Sequence, residues 1–431
     1  MVDLATGEVV AQRNSTNCLT PASVTKIITT ATALELLGPD FTFTTYIEID
    51  GTLSSDGTLN GNLLIRGGAD PTLGSVFLGD RNFISHFANE IQRYGIRHIT
   101  GDIIANASCL DHCPVPLKWS WEDIGMHYGA GAYGLSAYDN TSIITLNSGN
   151  TGTVPQILNI WPELPNMRTI NEINIPTPAK DEVVVLSAPY GMQRILIGSI
   201  SPNRNNQIVK ASISNPPLLV ATSLCKALND RGIVVDGKAV VNDSIQFTNT
   251  DTIYTNHSKP LSDIIRLTNF KSNNLYAEHT FRRLGCNSGI NRASSEMSIK
   301  AVKSFWKSKG INTDNLIIYD GCGLAPQNAF SANFLTKILV YMSRSDNWEK
   351  FYNSLPTAGE EGTVGAFLYG TPLKGKARIK SGSISGVQCY SGYITPDSGK
   401  RYAFTIMVNN FTCKRSEIKQ LITQWLVNDA K

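Results

Sequence analysis

Apolar residues near the start of the chain follow a helical spacing. The spacing recurs at Val24, Ile27, Ile28, Ala31 and Leu34. Such a stripe predicts a deeply packed helix that runs to about Leu37. Thr20 and Pro21 suit the cap and the first position of this helix, and Gly38 followed by Pro39 suits its end. We therefore expect a buried helix whose two ends are both specified locally.

The middle of the chain changes to short strands separated by glycine-rich turns. Asp56-Gly57 and Asn60-Gly61 lie between the apolar runs 41–50 and 62–66, a pattern typical of hairpins. Repeated prolines indicate a loop-rich stretch between 155 and 178. Helices are also predicted at 82–94 and 217–230, and strands at 98–105, 142–146, 182–186 and 194–200.

Towards its end the chain becomes helical again and then returns to strands. Helices are predicted at 261–268, 275–284 and 294–308, and strands at 377–381, 387–395 and 401–408. The last helix carries one apolar stripe, formed by Ile418, Leu421, Ile422, Trp425 and Leu426. Because a helix with such a face closes over a sheet, we predict that residues 1–38 and 250–431 form one α/β (α+β) domain. Residues 39–249 are then an insert of one or two mixed domains.

Composition narrows the class of protein. The 431 residues suffice for two or three domains, and 42% apolar with 17% charged residues is ordinary for a globular chain. Lys and Arg outnumber Asp and Glu by only 38 to 35 and form no long basic run, so electrostatics give no case for nucleic acid. No apolar run reaches the roughly 18 residues of a transmembrane segment. The first residues do not resemble a secretory leader, and we expect that a leader is missing.

The eight cysteines are too sparse for a disulfide scaffold in a chain of this length. Cys109, His112 and Cys113 offer metal-ligand atoms, but this motif has no second ligand pair. We therefore predict no metal site and no cofactor. The pairing of the cysteines stays open.

A nucleophile is suggested at the start of the first helix. Ser23 and Lys26 are three residues apart, so their side chains share one helix face. A buried lysine loses its proton more readily, and its neutral amine can accept the proton of a serine hydroxyl. The pattern alone is weak, because it recurs at Ser223 to Lys226, Ser304 to Lys307 and Ser416 to Lys419. The pair Ser23 and Lys26 differs from these copies because it stands at the start of an apolar helix and is followed by two further motifs.

Those two motifs complete a known set. Ser272-Asn273-Asn274 falls in a short loop between predicted helices, and Lys380-Ser381-Gly382-Ser383 ends a predicted strand. Ser-x-Asn also occurs at 15–17 and 331–333, whereas Lys-Ser/Thr-Gly occurs once. The order of the three motifs resembles that of penicillin-binding proteins and serine β-lactamases.

The resemblance extends over essentially the whole chain. Further matching segments are 21–23, 36–38, 67–73, 320–324, 359–363, 380–386 and 391–393. With them, the chain resembles the class C low-molecular-mass penicillin-binding proteins, which are D-alanyl-D-alanine carboxypeptidases and endopeptidases of the DacB type. This implies a serine β-lactamase/DD-peptidase-like domain with a five-stranded antiparallel sheet between helices. It also implies that the insert forms two nested small domains.

The resemblance also implies the roles of individual residues. The expected catalytic residues are Ser23 as nucleophile, Lys26 as its base, Ser272, Asn274 and Lys380. Ser272 would pass a proton to the leaving amine, Asn274 would hold a substrate amide, and Lys380 would lower the pKa of Lys26 by its charge. The expected substrate-binding residues on the strand are Ser381, Gly382 and Ser383. The hydroxyls of this strand would hold a terminal carboxylate, and the backbone N–H groups of Ser23 and Ser383 an oxyanion.

Residues 119–128 resemble the stretch of this family that meets the substrate side chain. Asp123 would pair with the free amine of diaminopimelate, and Trp121 and Tyr128 would pack against its stem. The alternative, equally open, is that the tryptophans are core and Asp123 is a solvated loop charge. Two positions depart from the family: Ser381 replaces the commoner threonine, and Cys322 replaces a serine.

We therefore expect a serine D-alanyl-D-alanine carboxypeptidase or endopeptidase that acts on peptidoglycan stem peptides through an acyl-enzyme and is acylated by β-lactam antibiotics. The family implies the periplasm or cell envelope. Two alternatives remain. A β-lactamase-like hydrolase lacks an evident equivalent of the class A deacylating glutamate, and the intact motifs argue against an inactive peptidoglycan-binding relative.

Overall fold

Helices and strands are mixed along the whole chain. The computed structural model describes residues 1–178, 180–243, 250–286 and 292–430. Its strands are β1 (Val2–Asp3), β2 (Cys18–Leu19), β3 (Thr44–Leu53), β4 (Thr58–Arg66), β5 (His98–Ile99), β6 (Ile103–Asn106), β7 (Thr141–Asn147), β8 (Gln156–Trp161), β9 (Arg168–Asn174), β10 (Glu182–Ser187), β11 (Gln193–Ser199), β12 (Gln207–Ser212), β13 (Val234–Val235), β14 (Ala239–Val241), β15 (Asp251–His257), β16 (Phe330–Ser331), β17 (Ala377–Ile384), β18 (Val387–Ile394) and β19 (Tyr402–Asn409). Its α-helices are α1 (Thr25–Leu37), α2 (Phe83–Arg93), α3 (Trp121–Ile124), α4 (Pro216–Asn229), α5 (Leu261–Lys271), α6 (Asn274–Leu284), α7 (Ser295–Ser308), α8 (Ala332–Met342), α9 (Trp348–Ser354) and α10 (Arg415–Asp429).

The two ends of the chain meet in one antiparallel sheet. Its order is β1, β19, β18, β17, so the first strand pairs with the last. The described residues give four strands rather than the five expected. The fifth position is taken by Val9, which forms only an isolated antiparallel bridge with Val2.

Helices cover both faces of this sheet. Alternate residues of β18 point to opposite sides, and Cys389 and Tyr393 join the core beneath α1 and α8, while Tyr390 and Ile394 join the core beneath α10. The stripe of α10 is buried at Ile418, Ile422 and Leu426. The prediction of a mixed fold with a sheet between helices is therefore confirmed.

A second sheet, of seven strands, is formed by residues between the two chain ends. Five of its strands are paired in the order β13, β5, β4, β3, β15. The other two are β6, which pairs with β4, and β14, which pairs with β6. Helices α2 and α4 pack on it through Phe87, Ile91 and Leu224. The sequence prediction placed residues 251–257 in the terminal domain. As β15 they pair instead with β3, so we assign them to the insert.

Two three-stranded sheets enclose a smaller core of their own. Their orders are β10, β11, β9 and β12, β7, β8. Val185, Leu196 and Ile144 lie in this core. Strands β8 and β9 occupy the stretch predicted to be loop-rich, which corrects that prediction. Its prolines bracket the strands instead of interrupting them. Because this core is separate from that of the seven-stranded sheet, we propose that the insert contains two nested small domains.

Among the described residues, no helix combines the length and the apolar character that crossing a membrane requires.

Candidate active site

Ser23 lies in a tight turn that leads into α1. Residues Ala22–Val24 form one turn of 3-10 helix, and Ala22 adopts a left-handed φ of 48°. Thr20 does not cap this turn as predicted, because its hydroxyl donates to the carbonyl of Pro326 at 3.1 Å. Ala22 and Val24 are completely buried, whereas Ser23 is half-buried. The turn therefore presents the serine from an otherwise closed core.

Lys26 is completely buried one turn below and makes three polar contacts. Its Nζ lies 3.1 Å from Ser23 Oγ, 2.7 Å from Asn274 Oδ1 and 2.7 Å from the carbonyl oxygen of Cys322. The two carbonyl oxygens can only accept hydrogen bonds. A neutral amine must then donate both its protons to them. Its lone pair is left facing the Ser23 hydroxyl.

The environment of Lys26 favours that neutral form. Burial is the main influence and lowers the pKa of Lys26, while Cys322, Asp320 and Glu278 oppose it. The sequence analysis expected the charge of Lys380 to lower the pKa of Lys26, but the lowered pKa attributed to this pair is that of Lys380. Burial, and then the charge of Lys26, hold the pKa of Lys380 well below its usual range.

The second motif joins two helices beside the lysine. Ser272 ends α5 in a left-handed conformation with φ 56° and ψ 38°. The side chain of Asn273 accepts from the Tyr276 N–H at 3.0 Å and so caps α6. Asn274 is the first residue of that helix, and its Nδ2 donates to the Tyr128 carbonyl at 2.8 Å. This contact orients the amide oxygen of Asn274 towards Lys26.

The third motif lies on the free edge of β17, against the serine turn. A Cβ on Gly382 would lie 2.7 Å from the Pro21 oxygen and 2.9 Å from the Ser23 nitrogen. Only glycine lets the strand approach the Ser23 N–H this closely. Ser383 directly follows Gly382, so its backbone N–H is a candidate partner of the Ser23 N–H in binding an oxyanion.

Lys380 connects this strand to the second motif. It is completely buried, and its Nζ donates to Ser272 Oγ at 2.9 Å and to the Ser381 carbonyl at 2.7 Å. The Ser381 hydroxyl donates to Thr363 Oγ1 at 2.8 Å, and that of Ser383 to Gln388 Oε1 at 2.9 Å. Both hydroxyls are thereby oriented at the strand surface.

The segment 119–129 reaches this cluster through Asn274. Tyr128 donates from its hydroxyl to Asp123 Oδ1 at 3.0 Å, while its carbonyl accepts from Asn274. Burial raises the pKa of Asp123 and, with Asp123 beside it, that of Tyr128 to about 12. Trp121 is 56% exposed, so it is not a core residue. Trp119 is one, because it is buried and donates from Nε1 to Asp320 at 2.8 Å.

A buried acidic cluster under Lys26 was missed by the sequence analysis. Glu278, Asp320 and Cys322 hold their ligand atoms within 4.8 Å of one another. Both oxygens of Asp320 already accept N–H donors, from Gly323, Asn328, Ala325 and Trp119. Glu278 accepts from the Gly321 N–H at 2.7 Å, and burial followed by repulsion from Asp320 raises its pKa to about 8. The cluster therefore supports the turn 320–323 that offers its carbonyl to Lys26. Glu278 lies one helical turn after Asn274, a spacing that could have revealed it.

His279 makes its contacts away from this cluster. It is completely buried, with Nδ1 2.8 Å from the Ala69 carbonyl and Nε2 3.0 Å from Ser136 Oγ.

Known proteins resemble this chain over nearly its whole length. The model of the D-Ala-D-Ala carboxypeptidase 3 (S13) family matches residues 1–429. The D-alanyl-D-alanine carboxypeptidase DacB of Haemophilus influenzae is 25% identical over 422 residues, which are 96% of this chain and 85% of that protein.

Two solved structures share the fold. The crystal structure of penicillin binding protein 4 (dacB) from Haemophilus influenzae superposes with a TM-score of 0.89 at 24% identity, over 100% of this chain and 95% of that one. The same protein complexed with a novel β-lactam gives a TM-score of 0.83 at 22% identity, with the same coverage. The predicted β-lactamase/DD-peptidase-like fold is thus confirmed.

Proposed function

The chain belongs to the D-Ala-D-Ala carboxypeptidase 3 (S13) family of serine peptidases, and we propose that it cleaves D-alanyl-D-alanine bonds of peptidoglycan stem peptides through an acyl-enzyme on Ser23. One observation carries the assignment of the residues. Two oxygens that can only accept hydrogen bonds, on Asn274 and Cys322, leave a neutral Lys26 with its lone pair towards the Ser23 hydroxyl.

The first step is attack on the carbonyl between the two D-alanines. Lys26 takes the proton of Ser23 while the serine oxygen bonds to the carbonyl carbon. The developing oxyanion is stabilised by backbone N–H groups of Ser23 and Ser383, which the absence of a side chain at Gly382 brings together. Because the donors are backbone groups of a packed turn and a strand, they need no rearrangement during the reaction.

The second step is release of the amine. Ser272 gives its proton to the leaving nitrogen and can recover it from Lys380, whose Nζ lies 2.9 Å away. Water then attacks the ester and loses a proton, which passes through Ser272 to Lys380. When the ester bond breaks, Lys26 returns to Ser23 the proton that it took in the first step. A carboxylate bound at this strand favours the protonated form of Lys380, whose ammonium charge then attracts the carboxylate.

Substrate orientation involves both ends of the cleft. Ser381 and Ser383 hold the terminal carboxylate by turning their hydroxyl protons to it from Thr363 and Gln388. Asn274 holds an amide of the stem peptide. Asp123 pairs with the free amine of a diaminopimelate side chain, alongside Tyr128. The half-buried position of Asp123 and its contact with Tyr128 Oη support this role, because a fixed carboxylate loses little entropy on binding a cation.

Two further points belong to the proposal. If the leaving amine is part of a neighbouring stem peptide, the same steps cut a cross-link. β-Lactam antibiotics acylate Ser23 and remain there, since no carboxylate among the contacts of Ser23 and Lys26 is placed to activate water. Such substrates place the protein in the periplasm or cell envelope.

Intact-protein mass spectrometry after incubation with benzylpenicillin tests the proposal. We expect a stable gain of one penicillin in the parent and none in Ser23→Ala. Ser304→Ala is the matched control, because it removes the serine of another Ser-x-x-Lys copy, on the exposed face of α7. No gain with the drug intact would favour an inactive wall-binding relative, and no gain with the drug consumed would favour a β-lactamase-like hydrolase.

A further inference from the structure

A groove lies beside β17 on the side of the sheet that α10 covers. Its volume is about 590 Å³. Phe367 and Tyr390 line it, and their rings stack in parallel with centroids 3.8 Å apart. None of the described residues that line it is Asp or Glu. The space falls within the range of about 300–1,000 Å³ that is usual for ligand sites.

Thr363 connects this groove to the substrate-binding strand. It lies in a single turn of 3-10 helix, Gly362–Val364, and forms part of the groove wall. Its Oγ1 accepts from Ser381 Oγ at 2.8 Å, so the Thr363 proton is free for another acceptor. Tyr390 lies directly opposite Ser381 in the β17–β18 pair, and paired residues project to the same face. The groove therefore begins where the terminal carboxylate is expected to be held.

The far wall is one polar face of α10. Lys419 and Thr423 are four residues apart, as are Gln420 and Gln424, so their side chains are neighbours on the helix surface. Together they offer an ammonium group, a hydroxyl and two amides. Amides match the backbone of a peptide, and the ammonium group matches a free carboxylate.

We propose that this groove binds the stem peptide of the leaving strand when the enzyme cuts a peptidoglycan cross-link. The inference rests on the proposed function and extends it. When the leaving group is D-alanine alone, it ends at the residues that bind its carboxylate and does not reach the groove. In a cross-link the carboxylate beside the leaving amine takes the same grip, and the remainder of the neighbouring stem peptide must continue past Ser381 and Thr363.

Two substrates separate this role from the chemistry of Ser23. One is a monomeric stem peptide ending in D-alanyl-D-alanine, and the other is a cross-linked peptide dimer without sugars. Gln420→Trp fills the groove, and Leu421→Trp is the matched control, since Leu421 is 43% exposed on the same helix and lies outside the groove. We expect Gln420→Trp to lower kcat/KM for the dimer about tenfold or more and to change that for the monomer by less than about twofold. Leu421→Trp should leave both unchanged.

Several results would overturn the assignment. They are full cleavage of the dimer by Gln420→Trp, an equal loss on both substrates, and a parent that releases D-alanine but never cuts the dimer. The same dimer with its sugars attached is a third substrate, and a loss confined to it would move the occupant to the glycan strand. If Gln420→Trp does not fold, Gln420→Ala/Gln424→Ala decides, and it should raise KM for the dimer alone. Failure of penicillin to acylate the parent would instead refute the proposed function.

Discussion

Replacing Asn274 by aspartate tests whether neutral Lys26 is the base. The change keeps the size of the side chain and turns an uncharged acceptor into an anion at the same position. Asn274 Oδ1 lies 2.7 Å from Lys26 Nζ. At that distance a full charge attracts an ammonium by about 6 kcal/mol with an effective dielectric constant of about 20. Even if burial of the new charge cancels half of this, about 3 kcal/mol remains, which lowers the neutral fraction of Lys26 by about two orders of magnitude.

The rate of acylation by a fluorescent penicillin measures this effect. At pH 7 we expect Asn274→Asp to react at least about a hundredfold more slowly than the parent. The rate should recover as the pH rises, because the lysine is deprotonated at a higher pH than in the parent. A merely structural defect would not recover in this way.

Asn273→Asp is the matched control. It makes the same chemical change one residue away, where the side chain caps α6 by accepting from the Tyr276 N–H. A carboxylate is favoured at a helix N-terminus by about 0.3–1 kcal/mol, so this variant should fold and acylate as the parent does. Our reasoning about Lys26 is refuted if Asn274→Asp acylates within about tenfold of the parent at pH 7, or if both variants lose the same rate without recovery at high pH.

Two further predictions address the supports of the site. Ionised Glu278 raises the pKa of Lys26, so Glu278→Gln should move the rising limb of the pH–acylation profile to lower pH. The shift should be clearest above the Glu278 pKa of about 8, where the carboxylate is charged. If a stopped-flow pH series shows the limb unmoved, Glu278 does not influence Lys26. Gly382→Ala places a methyl group 2.9 Å from the Ser23 nitrogen and should slow acylation about a hundredfold, as measured with the fluorescent penicillin. Gly365→Ala is its control, because no atom lies closer than 3.5 Å there, and equal rates for the two variants would contradict the steric argument.

Local chemistry explains which parts of the site could be predicted from the sequence. Ser23 and Lys26 are neighbours because of helix geometry, and Lys380 to Ser383 follow one another on a strand, so short motifs describe both. The carbonyl of Cys322 has no such signature, because every residue has a carbonyl and only the fold brings this one to Lys26. Thr363 was missed for the same reason, since a loop separates it from Ser381.

The errors in the fold have similar causes. Strand β8 is mostly exposed and lacks a clean alternation of buried and exposed residues, so the prolines on either side dominated its prediction as loop. The pairing of β15 with β3 was not predicted, because the two strands lie some 200 residues apart and pairing over such a separation leaves no local pattern. The sequence predicted that the two chain ends share one domain with a sheet, but it did not predict the order of the strands in that sheet.

The contacts of the segment 119–129 give it a proposed part in the chemistry as well as in binding. An amide such as that of Asn274 can present either its oxygen or its NH₂ group to a neighbour. Here the Tyr128 carbonyl accepts from Nδ2, which turns Oδ1 to Lys26. Trp119 fixes the same segment to Asp320, beneath the turn that carries the second acceptor. If the segment moved away, Asn274 could rotate, and Lys26 would lose the constraint that directs its lone pair at Ser23. We therefore propose that the insert helps to activate Ser23 for attack.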